Sequence, residues 1–257
     1  VKRMMRKTSP DIVVVASPNN YHAEHIRHAL NYKSHILAEK PMLMPNGKPV
    51  EEQVTEAYEL FFTARDKGTV LSVNHQLSML ANAYLNWYNS LPKKTTGPQN
   101  FIFNMHAGKI KQGLEIPEDL LPHSISPLLM IDGLGSFSPQ SLQFNVGKDI
   151  TSIMGQFGSG EPFNASIILQ YNINPSEIRF GFEGYVVERK GTRHNDGTMT
   201  YDLMFDGKPI NPEPIEDPLE TLISQFCDAA QAANSGNPGA SEKLLVRKDE
   251  RTRNKRK

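Results

Sequence analysis

The chain has 257 residues, 38% hydrophobic and 22% charged, and its 28 Lys and Arg balance its 28 Asp and Glu. This balance provides no overall field that would attract nucleic acid or an acidic membrane. No apolar run approaches the roughly 18 residues of a membrane span, and the basic amino terminus lacks the apolar segment of a secretory signal. A single cysteine, Cys227, forms no internal disulfide and suits a reducing compartment. We therefore expect a cytoplasmic globular protein that binds neither membrane nor nucleic acid.

The first part of the chain alternates strand and helix signals. Its short apolar runs are typical of strands covered on both faces, and stretches with helical spacing separate them. Asn19 or Asn20 is placed to cap the first of these helices, and Gly68 to end the next. Strands joined through helices favour parallel pairing. The predicted elements are a strand at 12–16, a helix at 23–30, a strand at 35–38, a helix at 54–64, a strand at 69–73, a helix at 81–90 and a linker at 92–98.

The second part has mainly β-type patterns, for which antiparallel pairing is expected. Asp206-Gly207 is a predicted turn, and Asp217-Pro218 opens a last amphipathic helix that ends near Gly236. The other predicted elements are strands at 101–105, 141–146, 151–157, 164–172, 179–188 and 199–205 and a helix at 119–131. The chain thus reads as a parallel α/β part followed by an α+β part.

Polar residues follow two neighbouring strands of the predicted parallel sheet. The segment 17–19 (Ser-Pro-Asn) follows the first strand, and Glu39 and Lys40 follow the second. The carboxyl ends of parallel strands share one edge, which is where α/β folds bind ligands. The backbone N–H groups that open the following helix face the same crevice. The alternative is that strands reach the surface here and simply carry surface charge.

Asp119 and His123 are four residues apart on a predicted helix and therefore share a face. A carboxylate beside an imidazole can fix its tautomer and raise its basicity, which suits proton abstraction from an alcohol. Lys40 would be the cationic group that holds the substrate oxygen. The alternative is an aspartate that caps the helix start beside a core histidine, and both interpretations stay open.

Other candidates are weaker. The glycines of segment 133–138 imitate a dinucleotide-binding loop, but the third glycine is missing and a helix precedes them. His25 and His28 are expected to be solvated. His75 and His106 follow strands, but their spacing supports no metal site.

The run PDIVVVASPNNYHAEHIRHALNYKSHILAEKP, residues 10–41, resembles the glucose–fructose oxidoreductase / inositol dehydrogenase family (Gfo/Idh/MocA) of nicotinamide-dependent oxidoreductases. That family shows a P-N-x-x-H turn after one strand, here 18–22, and E-K-P after the next, here 39–41. It also has D-x-x-x-H in a helix of its second domain, which 119–123 matches. The second half of the chain agrees in architecture only.

The resemblance implies an NAD or NADP cofactor and a sugar, inositol or nucleotide-sugar substrate. Lys40 would lie near the nicotinamide and the reacting hydroxyl, His123 would be the general acid/base, and Asp119 would hold the substrate or the histidine. The residues bordering the cofactor would be Ser17, Pro18, Asn19, His22, Glu39 and Lys40. The antiparallel sheet would pack on another subunit, so a homo-oligomer is expected.

The fold implied is a partial Rossmann-type parallel sheet followed by a mostly antiparallel sheet domain with helices on one face. Residues 1–92 would be an incomplete dinucleotide-binding domain, 93–240 a substrate and oligomerisation domain, and 241–257 a basic tail. The family's G-x-G-x-x-G half of the Rossmann domain does not occur in this sequence, so the resemblance does not extend to cofactor binding by this polypeptide alone. Two alternatives are a non-catalytic sensor or interaction module and an enzyme that uses NAD transiently to cleave glycosidic bonds.

Overall fold

The computed structural model describes residues 1–44, 47–92, 100–108, 110–132, 141–157 and 163–236. The helices are α1 (Lys2–Thr8), α2 (His22–Asn31), α3 (Val50–Asp66), α4 (Leu77–Ser90), α5 (Glu115–Asp132) and α6 (Pro218–Asn234). The strands are β1 (Ile12–Val15), β2 (His35–Ala38), β3 (Leu71–Val73), β4 (Asn100–Ala107), β5 (Gln143–Val146), β6 (Ile150–Phe157), β7 (Phe163–Tyr171), β8 (Glu177–Phe182), β9 (Val187–Arg193), β10 (Met199–Phe205), β11 (Lys208–Pro209) and β12 (Ile215–Glu216).

The described residues form two compact units, one of Val1–Asn74 together with 221–236 and one within His75–Glu220. The functional division into domains at residues 92 and 240 stays a prediction. The segment 133–138, the tail 241–257 and most of the linker 92–98 lie outside the described residues. Among the helices described, none is long and apolar enough to cross a bilayer.

The first unit contains the predicted parallel sheet, with strand order β1-β2-β3. Val15 lies opposite Ala38, and Ile36 lies opposite Leu71, so their side chains share one face. Apolar side chains of α2 and α3 cover that face, because their buried positions recur at helical spacing. The buried cluster comprises Met5, Val15, Ile26, Ala29, Leu30, Ile36, Ala38, Leu60, Ala64 and Leu71.

The predicted end of α3 agrees with the structure, but the predicted start of α2 does not. Gly68 follows α3 with φ of +68°, in the left-handed region that glycine adopts readily, so the predicted helix end is confirmed. The predicted cap at Asn19 or Asn20 is wrong. A 3₁₀ turn, Asn19–Tyr21, comes first and moves the start of α2 to His22, with Tyr21 at the cap position.

The second unit contains the mostly antiparallel sheet, with strand order β11-β10-β9-β8-β4-β7-β6-β5 and β12 beside β10. The expectation of antiparallel pairing fails at one place, because β4 and β7 are parallel, with Phe103 opposite Ile167. Because β5–β6 and β6–β7 are antiparallel, β7 runs in the same direction as β5. Strand β4 is parallel to β7 and therefore also runs in that direction.

One predicted strand is in fact two. The run 179–188 is divided between β8 and β9 by a turn in which Gly184 has φ of +82° and the N–H of Tyr185 donates to Phe182 O at 2.8 Å. Residues that favour strands stand on both sides of the turn, with Phe182 before it and Val186 and Val187 after it, which is why the run reads as one strand. The turn at Asp206-Gly207 is confirmed, since both residues have positive φ between β10 and β11.

Helices α4 and α5 pack on one face of this sheet, as expected, and bury the inward side chains of β4 and β7. Phe101 and Phe103 of β4 are fully buried, and the Tyr84 hydroxyl of α4 accepts the N–H of Phe182 at 2.7 Å. The other face of β4, β6 and β7 is called the outer face. It carries Asn100, Ile102, Asn104, His106, Ile150, Ser152, Met154, Gln156, Asn164, Ser166, Ile168 and Gln170.

Candidate functional site

The three parallel strand ends meet at one edge of the first unit, as was predicted for the first two of them. The N–H of Glu39, just past β2, donates to Val15 O of β1 at 2.8 Å. The N–H of Asn74, just past β3, donates to Ala38 O of β2 at the same distance. Residues following β1, β2 and β3 therefore lie side by side, and Asn74 joins the residues that the sequence singled out.

Asn74 links the ends of β2 and β3 through its side chain. Its Nδ2 donates to Glu39 Oε1 at 2.7 Å, and this contact fixes the orientation of the amide because a carboxylate oxygen only accepts. Asn74 Oδ1 is buried and has no hydrogen-bond partner among the described residues. Sequence reasoning missed Asn74, although the rule that selected Glu39 and Lys40 applies to the residue after the third strand.

His22 lies inside this edge rather than on its surface. Its ring is fully buried, with Nδ1 at 2.8 Å from Pro41 O and Nε2 at 2.7 Å from Ser17 O. The ring therefore spans the segments that follow β1 and β2. Lys40, partly buried, lies between Glu39 and Pro41, and the Lys40–Pro41 peptide is cis.

The histidines further along α2 are less exposed than expected. His25 is partly buried, its Nδ1 lies 2.9 Å from Ser17 Oγ, and its ring stacks on Tyr21. Burial lowers the pKa of His25. His28 is also partly buried, with Nε2 at 3.2 Å from Glu24. The expectation that both are solvated is wrong, because both side chains are partly buried, His25 against Ser17 and Tyr21 and His28 against Glu24.

In the second unit, Asp119 lies in a polar cluster on the helix-covered face of the sheet. Its Oδ2 is 2.7 Å from Lys111 Nζ, and the Tyr171 hydroxyl donates to the same oxygen. Tyr171 is 1% exposed, and the Lys111 ammonium lies 5.9 Å from its ring centroid. Burial, reinforced by the Asp119 carboxylate, raises the pKa of the Tyr171 phenol.

The position at which α5 begins shows that Asp119 does not cap this helix. The helix begins at Glu115, one turn earlier than predicted, so Asp119 is not its capping residue. His123 follows one turn later and is partly buried, and the two side chains share a face. Two prolines lie inside α5, and Pro127 offers no N–H to the carbonyl of His123.

Neither Lys111 nor Tyr171 was predicted from the sequence as a partner of Asp119. Tyr171 is the last inward position of the alternating strand β7, so its place on the face of α5 could have been found from that alternation. Lys111 precedes α5 without any pattern that marks it. In the described ranges, no group of three His, Cys, Asp or Glu side chains could hold a metal ion.

Comparison of the chain with known protein families agrees with the motifs. Residues 1–75 match the model of the GFO_IDH_MocA family, described as an oxidoreductase family with an NAD-binding Rossmann fold. This description agrees with the predicted NAD or NADP cofactor. No curated protein matches the chain.

Solved structures share the fold at low identity. A protein from Magnetospirillum magnetotacticum MS-1 is 18% identical, with 95% of this chain and 80% of that chain covered and a TM-score of 0.62. KijD10, a 3-ketoreductase from Actinomadura kijaniata in complex with TDP-benzene and NADP, is 17% identical (94% and 77% covered, TM-score 0.56). The UDP-N-acetylglucosamine 3-dehydrogenase GnnA from Acidithiobacillus ferrooxidans is also 17% identical (91% and 75% covered, TM-score 0.54). Residues 1–75 thus match the model of the Gfo/Idh/MocA family with its NAD-binding Rossmann fold, and the chain shares the two-part fold of these solved structures.

Proposed function

We propose that this protein is an NAD(P)-dependent oxidoreductase that transfers a hydride between nicotinamide and a hydroxyl-bearing carbon of a sugar, inositol or nucleotide-sugar. The observation that carries the proposal is the edge where β1, β2 and β3 end, with Lys40 held between Glu39 and Pro41. Two proteins with this fold, GnnA and KijD10, are named as a nucleotide-sugar dehydrogenase and a ketoreductase. Their names support the substrate class.

The residues at this edge fit a nicotinamide cofactor. Ligands of parallel sheets bind at the carboxyl ends of the strands, and the buried acceptor Asn74 Oδ1 lies there among polar neighbours. The residues that would contact the cofactor are Ser17, Pro18, Asn19, Glu39 and Lys40, while the buried His22 ring contacts the backbone of Ser17 and Pro41. When bound, nicotinamide supplies the redox chemistry by giving or accepting a hydride.

The side chains of the chain itself supply positioning and proton transfer. The Lys40 ammonium, with three N–H donors, would orient the substrate oxygen. The His123 imidazole would take the hydroxyl proton in oxidation and return it in reduction. Asp119 would orient His123 or the substrate, and its ion pair with Lys111 and hydrogen bond from Tyr171 hold its carboxylate in one place.

Calorimetric titration with NAD(H) and NADP(H) tests the cofactor, on this chain and on a form that includes any in-frame residues encoded upstream. Absorbance at the reduced-nicotinamide band, with a panel of sugars, inositols and nucleotide-sugars, tests the substrate. We expect Lys40→Met to bind dinucleotide within a few-fold of the unchanged chain but to lose about 100-fold or more in kcat. Lys48→Met is the matched control, because Lys48 is an exposed lysine paired with Glu56.

If neither form binds any of the four dinucleotides, the proposal is wrong. If dinucleotide binds but Lys40→Met and His123→Ala change neither turnover nor biological activity, the chain is a sensor or interaction module instead. Net conversion of free NAD(P) separates a dehydrogenase from an enzyme that uses bound NAD transiently.

The proposal extends to assembly and location. We place the protein in the cytoplasm, where thiols such as Cys227 stay reduced. A homo-oligomer built on the outer face is supported by its composition, since β4, β6 and β7 place no Asp, Glu, Lys or Arg there and the charged pair Glu177 and Arg179 of β8 borders it. Depletion of charge is the compositional mark of an interface core.

A further inference from the structure

We propose that His22 is a positioning residue that fixes the backbone around Lys40 by binding two carbonyl groups, rather than a residue that contacts the cofactor. The catalytic meaning of this inference rests on the proposed function, because it assumes the role of Lys40. The two contacts of the His22 ring, with Pro41 O and Ser17 O, are called the clasp below and do not depend on that role.

The geometry leaves the His22 ring nitrogens committed to the backbone. Nδ1 faces Pro41 O at 2.8 Å and Nε2 faces Ser17 O at 2.7 Å, and the ring has no exposed surface. A carbonyl oxygen only accepts, so a neutral ring donates to one of the two carbonyls, and donation to both requires a proton on each ring nitrogen. The edge of the ring that could recognise a ligand is therefore already occupied by these two carbonyls.

His22 is itself mounted on a rigid support. It is the first residue of α2, whose Ile26 and Ala29 are fully buried against the parallel sheet. The preceding turn is closed by the N–H of Tyr21, which donates to Pro18 O at 2.9 Å. A ring anchored in this way can hold the segment after β2 in register with the segment after β1.

The consequence falls on Lys40, because its neighbours on both sides are tied down. On one side, the N–H of Glu39 binds Val15 O and its carboxylate binds Asn74. On the other side, the Pro41 carbonyl binds His22. Displacing a catalytic group by about 1 Å can cost about 100-fold in rate. The contact between His22 and Pro41 O is therefore expected to affect the rate through the position of Lys40.

The experiment compares His22→Phe, which keeps a ring without donors, with His22→Gln, which keeps a side-chain donor. His28→Phe is the control, since His28 lies on the same helix and pairs only with Glu24 among the contacts described for it. Hydrogen–deuterium exchange of peptides covering 16–20 and 39–44 is the primary readout. We expect exchange there to be about tenfold faster in His22→Phe, intermediate in His22→Gln and unchanged in His28→Phe.

Kinetics supply the second readout. We expect His22→Phe to lower kcat about tenfold or more with little change in substrate KM, and His22→Gln to recover part of the loss. Unchanged exchange at 39–44, or an equal increase in every peptide of the first unit, overturns the proposal. If His22→Phe does not fold, the same criteria are applied to His22→Gln.

The outcomes separate the two proposals. A chain that neither binds nor turns over nicotinamide, yet shows the localised exchange change, contradicts the proposed function and keeps the clasp. A chain with full activity and no localised change in His22→Phe contradicts the clasp alone.

Discussion

Tyr171 is a buried hydrogen-bond partner of Asp119 that lies outside the D-x-x-x-H motif. Its hydroxyl donates to Asp119, which also pairs with Lys111. We expect Tyr171→Phe to lower the free energy of unfolding by about 1–3 kcal/mol, because a buried hydrogen bond to a carboxylate is lost. Urea unfolding measures this, and Tyr32→Phe, at an exposed ring, is the control.

The same residue makes stability depend on alkaline pH. Burial raises the pKa of the Tyr171 phenol above its ordinary value of 10.0, so the folded protein retains a proton that the unfolded chain loses. This contribution is complete below pH 10 and declines as pH rises above it. The free energy of unfolding should therefore fall less steeply above pH 10 in Tyr171→Phe. Identical slopes for the two proteins would contradict the assignment.

At the residue scale, the sequence could identify side chains whose position follows from the end of an element. Glu39 and Lys40 follow a strand, and that alone placed them on the edge shared with β1. Partners such as Lys111 come from loops with no periodicity, so no local pattern connects Lys111 with Asp119. The assigned roles of Lys40, Asp119 and His123 stay predictions.

Among the elements, α6 is tied to the parallel sheet through His35. The N–H of Val70 donates to His35 Nδ1 at 3.0 Å, so Nε2 carries the ring proton and donates to Asn234 Oδ1, also at 3.0 Å. We expect a double-mutant cycle of His35→Leu and Asn234→Ala to give a coupling of about 1 kcal/mol in the free energy of unfolding. Strict additivity of the two changes would show that the contact contributes nothing.

Strand β1 lies at the edge of the described parallel sheet and is apolar throughout. Val14 is 61% exposed and Ile12 is 39% exposed, on the side opposite Val15. Such an edge invites self-association, and a lysine is a common natural guard. We expect Val14→Lys to reduce concentration-dependent association in sedimentation velocity without lowering the melting temperature. Val15→Thr, at the buried neighbour, should instead lower that temperature.

Which elements form was predictable, but how they pair was less so. Alternation of apolar residues located most strands of the second part, because side chains of a strand point to the two faces in turn. The pattern could not show that β8 ends at a turn, since residues that favour strands stand on both sides of it, Phe182 before and Val187 after. The parallel pairing of β4 with β7 depends on chain direction, which periodicity does not record.

For the whole molecule, the outer face makes assembly testable. Ile168 lies near its middle, on β7 between Asn104 of β4 and Ser152 of β6. We expect Ile168→Glu to leave a folded species of lower mass in light scattering, because a charge buried in an interface without a partner is costly. Gln231→Glu, an exposed change on α6, is the control. An unchanged mass for Ile168→Glu would exclude this face as the subunit contact.

The central place of β4 has a consequence for how the protein is made. This strand is the first of its sheet to leave the ribosome, yet both its edges bind strands that come much later, with Phe103 opposite Ile167 on one side and Phe180 on the other. At roughly 5–20 residues per second, β4 waits several seconds before either neighbour exists. Such long-range pairing makes folding slow, so the nascent chain passes through a period in which this apolar strand is exposed to chaperones and to other nascent chains.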